Sequence, residues 1–173
     1  MLLFQIQLLV ANQEQSDTIE INALNREAYN SARSNPSSCI SNAQVALSLS
    51  QNQNYKKGIA DACLALGVAY MAKHNPEDSG QYYFNRALNI YDELKDLEGQ
   101  GRVCYSLSFL YNFAGNTDQA LNFGKLSIKY FEQGDLIKES ISALAAVIYL
   151  ERQMGNHEEA LRLSEKAVNT AIL

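Results

Sequence analysis

Residues 55–95 read YKKGIADACLALGVAYMAKHNPEDSGQYYFNRALNIYDELK, and this stretch decides the fold. Ala62, Cys63, Leu66, Gly67 and Tyr70 recur at helical steps, which predicts a helix from about Tyr55 to Lys73. Asn75-Pro76 stops it: asparagine caps the next helix and proline suits that helix's first position. The second helix carries Gly80, Phe84, Ala87, Leu88 and Tyr91 until Lys95-Asp96 breaks the pattern. The stretch is one helix–turn–helix unit.

Outward from it, small residues return every 40 or 41 positions. Cys39, Gly80, Ala120 and Ala160 fall in step, as do Ala46, Ala87, Ser127 and Ala167. An apolar series, Leu47, Leu88, Ile128 and Val168, follows one residue behind the latter. Such a period means one two-helix unit used repeatedly, each copy packing on its neighbours. Four units follow, 17–54, 55–95, 96–134 and 135–173, with an apolar N-terminal segment at 1–16. Asn35-Pro36 punctuates the first unit as Asn75-Pro76 does the second. Gly115-Asn116 and Gly155-Asn156 replace that turn chemistry in the third and fourth, and Asn156 with Glu159 has the spacing of a capping box. Glu98-Gly99-Gln100-Gly101 and Gln133-Gly134-Asp135 read as linkers between units. No segment reads as a strand, and the fold class expected is an all-α solenoid.

The bulk numbers agree. A 173-residue chain that is 47% hydrophobic, with two prolines and no tryptophan, suits a packed helical protein rather than a disordered one. Net charge is −5, and no run of Lys or Arg could track a phosphate backbone, so nucleic acid is not expected as a partner. Cys63 and Cys104 share a slot in adjacent units; stacked helices lie roughly 9–10 Å apart, too far for a disulfide, so buried reduced thiols are expected. Residues 2–11, LLFQIQLLVA, are too short to span a membrane. Read as a signal-peptide remnant they imply an extracytoplasmic, periplasmic location; read as a cap helix they imply a cytoplasmic one.

The units resemble the tetratricopeptide repeat over about residues 18–172. Leu66-Gly67 followed by Tyr70 matches the family's first-helix pattern, and Leu107-Ser108 with Tyr111 nearly does. Ala160, Ser164 and Ala167, like Gly80, Phe84 and Ala87, match its second. The resemblance implies a right-handed superhelix. The family's usual period is 34 residues, so these longer units are similar to those of kinesin light chains, the bacterial maltose-regulon activator and Rap-type peptide-sensing regulators. Glu151 departs from the pattern by standing in the tyrosine slot, which implies that the last unit's outer face wants a further partner.

In that family the first helices of successive units line a concave groove. The resemblance places Leu24, Ala28 and Ser31 there, then Asp61, Leu64, Val68 and Met71. Arg102, Tyr105, Phe109 and Asn112 follow, then Ser142, Ala145, Tyr149 and Arg152. Each set steps by three or four residues and so shares one helix face. An exposed strip of apolar and aromatic side chains beside arginines is a typical protein interface. The expected ligand is a peptide, its backbone held by Asn112 and an acid group by the arginines. The competing reading makes the strip core, or fills it with residues 2–11. The basic clamp by which some relatives hold acidic chaperone tails is missing: Leu64, Val68, Ser106, Ser142 and Ala146 stand at its positions.

Catalytic chemistry is not expected. His74 and His157 fall at turns without a Cys or carboxylate at metal-ligand spacing. Gly99-Gln100-Gly101 lacks the strand and the Lys-Ser/Thr of a phosphate cradle. Glu158-Glu159 and Asp92-Glu93 are charge pairs near helix ends. No cofactor and no metal are expected. The function expected is a non-catalytic protein- or peptide-binding scaffold, the sensor region of a larger bacterial signalling protein of kinase or cyclase type. The finish at Ala171-Ile172-Leu173, inside or just after a helix, points to an attached output domain. The alternative is a self-assembling module that forms a homodimer through its end repeats.

Overall fold

The computed structural model describes residues 2–73 and 79–172, with the backbone alone for 2–16 and 79. Among the described residues the chain is all helical: α1 (Leu2–Ser31), α2 (Pro36–Asn52), α3 (Lys56–Ala72), α4 (Ser79–Leu94), α5 (Leu97–Phe113), α6 (Thr117–Gln133), α7 (Ile137–Gln153) and α8 (His157–Ile172). The Asn75-Pro76 turn and His74 lie outside the described residues. None of the described helices is long and apolar enough to cross a membrane. The chain divides into two compact units, Met1–Arg86 and Ala87–Leu173.

Local chemistry sets the helix ends. Asn35 caps α2 by accepting the Ser38 N–H, with Pro36 at the first position; Asn116 accepts the Gln119 N–H at the start of α6, and Asp96 the Gly99 N–H at the start of α5. Five turns share one closing geometry. Asn54, Lys95, Gly115, Asp135 and Gly155 all take a left-handed φ between 53° and 80°. The next residue in each case donates its N–H to the carbonyl five residues back: Tyr55 to Ser50, Asp96 to Tyr91, Asn116 to Tyr111, Leu136 to Phe131 and Asn156 to Glu151. This helix-ending bond pattern satisfies carbonyls that would otherwise be orphaned.

The capping box expected at Asn156 does not form. The Asn156 N–H is already given to the Glu151 carbonyl, and the Glu159 carboxylate instead takes two hydrogen bonds from Arg162, at 2.7 and 2.8 Å. The expected linker Glu98-Gly99-Gln100-Gly101 is also corrected: it forms the first turns of α5. Its glycines are there for room. A β-carbon at Gly99 would collide with the Tyr91 ring, and one at Gly101 would stand 2.5 Å from Phe131 Cε1.

In the first unit α1, α2 and α3 pack on one another. Buried Asn25 of α1 donates to the Gly58 carbonyl of α3 at 3.0 Å, and Phe84 packs over Gly67. Tyr70 and Tyr83 stack with ring centres 5.6 Å apart. In the second unit α5, α6, α7 and α8 pack in succession, and Leu121, Ile128, Phe131, Leu144, Val147, Leu150 and Leu163 share one core. Tyr111 and Phe123 stack there at 5.4 Å, some forty residues after their counterparts. Of the two small-residue series, Cys39, Gly80, Ala120 and Ala160 are all buried, whereas in the other Ala46, Ala87 and Ser127 are buried and Ala167 is half-buried. Cys39, Cys63 and Cys104 are buried free thiols, and burial pushes Cys39 and Cys63 up to about 11 and Cys104 up to about 12.

Candidate functional site

An apolar cleft of about 250 Å³ opens in the second unit between α5 and α7. Tyr105, Ser108, Phe109 and Asn112 line it from α5; Ser142, Ala145, Ala146, Tyr149 and Leu150 line it from α7. Helical spacing places each set on one face, and the two faces meet. Tyr105 and Phe109 pack edge to face, ring centres 4.9 Å apart. Tyr149 stands 55% exposed, and its hydroxyl accepts a hydrogen bond from Gln153 Nε2 at 2.7 Å. Two short side chains, Ala145 and Ala146, leave the hollow that the three rings surround.

The polar groups of the cleft are largely committed to backbone. Ser108 donates to the Ala120 carbonyl at 2.7 Å, and Ser142 donates to Lys138 O at 3.0 Å. The Asn112 amide is the polar group at the end of the α5 face, an arrangement suited to fixing an amide-bearing ligand.

Of the residues expected in a groove, Tyr105, Phe109, Asn112, Ser142, Ala145 and Tyr149 come together here. Arg102 and Arg152 are not in the lining. Arg102 lies a turn before Tyr105 and pairs with Glu98 at 3.1 Å; Arg152 is exposed in the last turn of α7. In the first unit the expectation fails at three positions. Leu64 and Val68 are each 2% exposed and Ala28 is fully buried, so all three are core. Asp61 pairs with Lys57 at 3.1 Å, and Met71, Leu24 and Ser31 are half-buried. Ser108 and Leu150 were not among the expected groove residues, and Ala146 was named only at a position of the missing basic clamp. Ser108 stands 41 residues after buried Gly67, which is the one sequence sign of its inward placement.

Glu151, expected to mark a face in need of a partner, is satisfied within the chain. It is 2% exposed, 2.7 Å from Lys125 Nζ, and accepts from Asn156 Nδ2 at 2.8 Å. Burial pushes its carboxyl up, but the hydrogen bonds from Lys125 and Asn156 and the Lys125 charge prevail and hold it below the usual range. His157, expected at a turn, is the exposed first residue of α8. No family model and no curated protein matches the chain.

Proposed function

We propose that the chain is a non-catalytic peptide-binding scaffold of tetratricopeptide type, built as an α-solenoid, and that the α5–α7 cleft holds the peptide. The observation that carries this reading is the convergence of Tyr105, Phe109 and Tyr149 around an open apolar hollow with one amide beside it. Clustered aromatic anchors are what hot spots use. At about 250 Å³ the hollow falls below the range of drug-sized ligand sites and fits an apolar anchor side chain of a peptide. Asn112 then bonds the peptide backbone, and Arg152, one helical turn past Tyr149, is placed for an acidic group outside the hollow. Attachment to a signalling output domain extends the same reading.

The test is selection of peptides from a random library on the immobilised chain, followed by titration against the wild type and Ala145→Glu. Ala145 is exposed, so the substitution fills the cleft without touching the core. Loss of at least about tenfold in affinity is expected. Equal affinity for both proteins refutes the assignment of the cleft.

A further inference from the structure

Tyr149 and Gln153 stand one turn apart on α7, and the hydrogen bond between them has a direction. Gln153 Nε2 donates to the Tyr149 hydroxyl oxygen at 2.7 Å, so the phenol spends a lone pair there and keeps its own proton. Among the described residues that proton has no acceptor. A phenol that accepts one hydrogen bond is polarised into a stronger donor of the next. Tyr149 is more than half exposed, which leaves its hydroxyl within reach of a ligand.

The other wall of the cleft supplies the complement. Asn112 lines it from α5 as Tyr149 does from α7, and it stands 41 residues before Gln153, at the same register of the preceding unit. Its amide makes no hydrogen bond to the described residues. The cleft thus offers an amide on one wall and a polarised O–H on the other. A trans peptide group matches that pairing, because its N–H and C=O point in opposite directions. A carboxylate matches it poorly: no cation lines the cleft, so the charge would be buried without a partner.

We propose that the cleft grips one backbone peptide group of its ligand from both walls. Asn112 accepts the N–H through its side-chain carbonyl, and Tyr149 donates to the C=O. Gln153 is a positioning residue: by donating to the phenol oxygen it fixes where the phenol proton points. The inference rests on the cleft being the peptide site and adds what that site requires of the peptide, an unsubstituted backbone amide beside the anchor side chain.

The probe is the tightest peptide from the random-library selection, titrated into the full chain and into Tyr149→Phe, Gln153→Glu, the double variant and Tyr149→Ala. Tyr149→Phe keeps the ring and removes the donor; it is expected to weaken binding roughly twofold to tenfold, the range of one hydrogen bond. Gln153→Glu puts an acceptor where the donor stood, draws the phenol proton to itself and gives a loss of the same size. Because Gln153 acts through the hydroxyl, the double variant is expected to bind no worse than Tyr149→Phe alone. A further loss in the double variant overturns the role given to Gln153. Wild-type binding by Tyr149→Phe, with a loss of at least about tenfold in Tyr149→Ala, overturns the inference and leaves the cleft as the peptide site. Wild-type binding by Tyr149→Ala as well overturns both. The same titrations with the acidic side chains of the probe replaced by their amides identify the acceptor. A Tyr149→Phe loss that persists supports a backbone carbonyl, and one that vanishes assigns the hydroxyl to a carboxylate and overturns the proposal.

Discussion

Glu151 is buried in the second unit with its carboxylate 2.7 Å from the ammonium of Lys125, which ties α7 to α6 from within. The Lys125 side chain keeps its own access to water, being 51% exposed, so desolvation falls mainly on the carboxylate. Glu151→Gln keeps a partner for Asn156 and removes the charge. It is expected to cost about 1.5–3 kcal/mol, the range of a hydrogen bond to a charged group, read from denaturant unfolding.

The same pair fixes a pH dependence. The Glu151 carboxyl lies lower in the folded chain than its ordinary value of 4.5, so the unfolded chain takes up that proton first as pH falls. Its contribution is therefore full above about 4.5 and is lost as pH drops through the folded value. Wild-type stability should fall more steeply in this acid window than that of Glu151→Gln. Parallel acid profiles of the two proteins would contradict the assignment.

Gly101 tests whether the glycines at the start of α5 serve packing. Alanine usually favours a helix over glycine by about 1 kcal/mol. Here the added β-carbon meets the Phe131 ring, and overpacking costs about 1–3 kcal/mol. Gly101→Ala is expected to lower the melting temperature; a rise would show that the ring moves aside freely.

The thiols should be inert in the folded chain. Burial pushes Cys39, Cys63 and Cys104 up to about 11 or 12, far above the pH of a standard thiol assay. Native protein at pH 8 is expected to react slowly with a disulfide reagent, and unfolded protein to release all three thiols promptly. Prompt native reaction would place a cysteine at the surface.

The arginines and the cleft should separate cleanly. Arg102 pairs with Glu98 on its own helix, and exposed pairs of this kind contribute at most about 1 kcal/mol. Arg102→Ala should leave stability within about 0.5 kcal/mol of wild type and weaken peptide binding less than Tyr149→Ala does. The comparison is made by titrating one selected peptide into both variants.

Much of this architecture is legible in the residues alone. Small positions at a period near forty mark where helices touch, and Asn35, Asn116 and Gly155 mark where they start and stop, because caps and left-handed turns are local chemistry. What escapes is set by partners distant in the chain. Gly99 and Gly101 look like a linker by propensity; only the Tyr91 and Phe131 rings explain why a helix keeps them. Leu64 and Val68 share a helical face with Asp61, yet every residue from Ala62 to Ala69 is buried, so periodicity on α3 could not separate groove from core. A lone glutamate at 151 suggests a surface until Lys125 and Asn156 are found beside it. The cleft was half legible: its aromatic residues were placed by the resemblance, spacing adding only that each set shares a helix face, whereas Leu150 belongs to it only through the approach of α7 to α5.

The most direct test of the central claim is a crystal structure of the chain with a selected peptide, viewed at Tyr105, Phe109 and Tyr149. The account predicts an apolar peptide side chain seated among the three rings, with the peptide backbone bonded to the Asn112 amide. A peptide bound on another face, with the α5–α7 cleft filled by the chain's own residues, would contradict it.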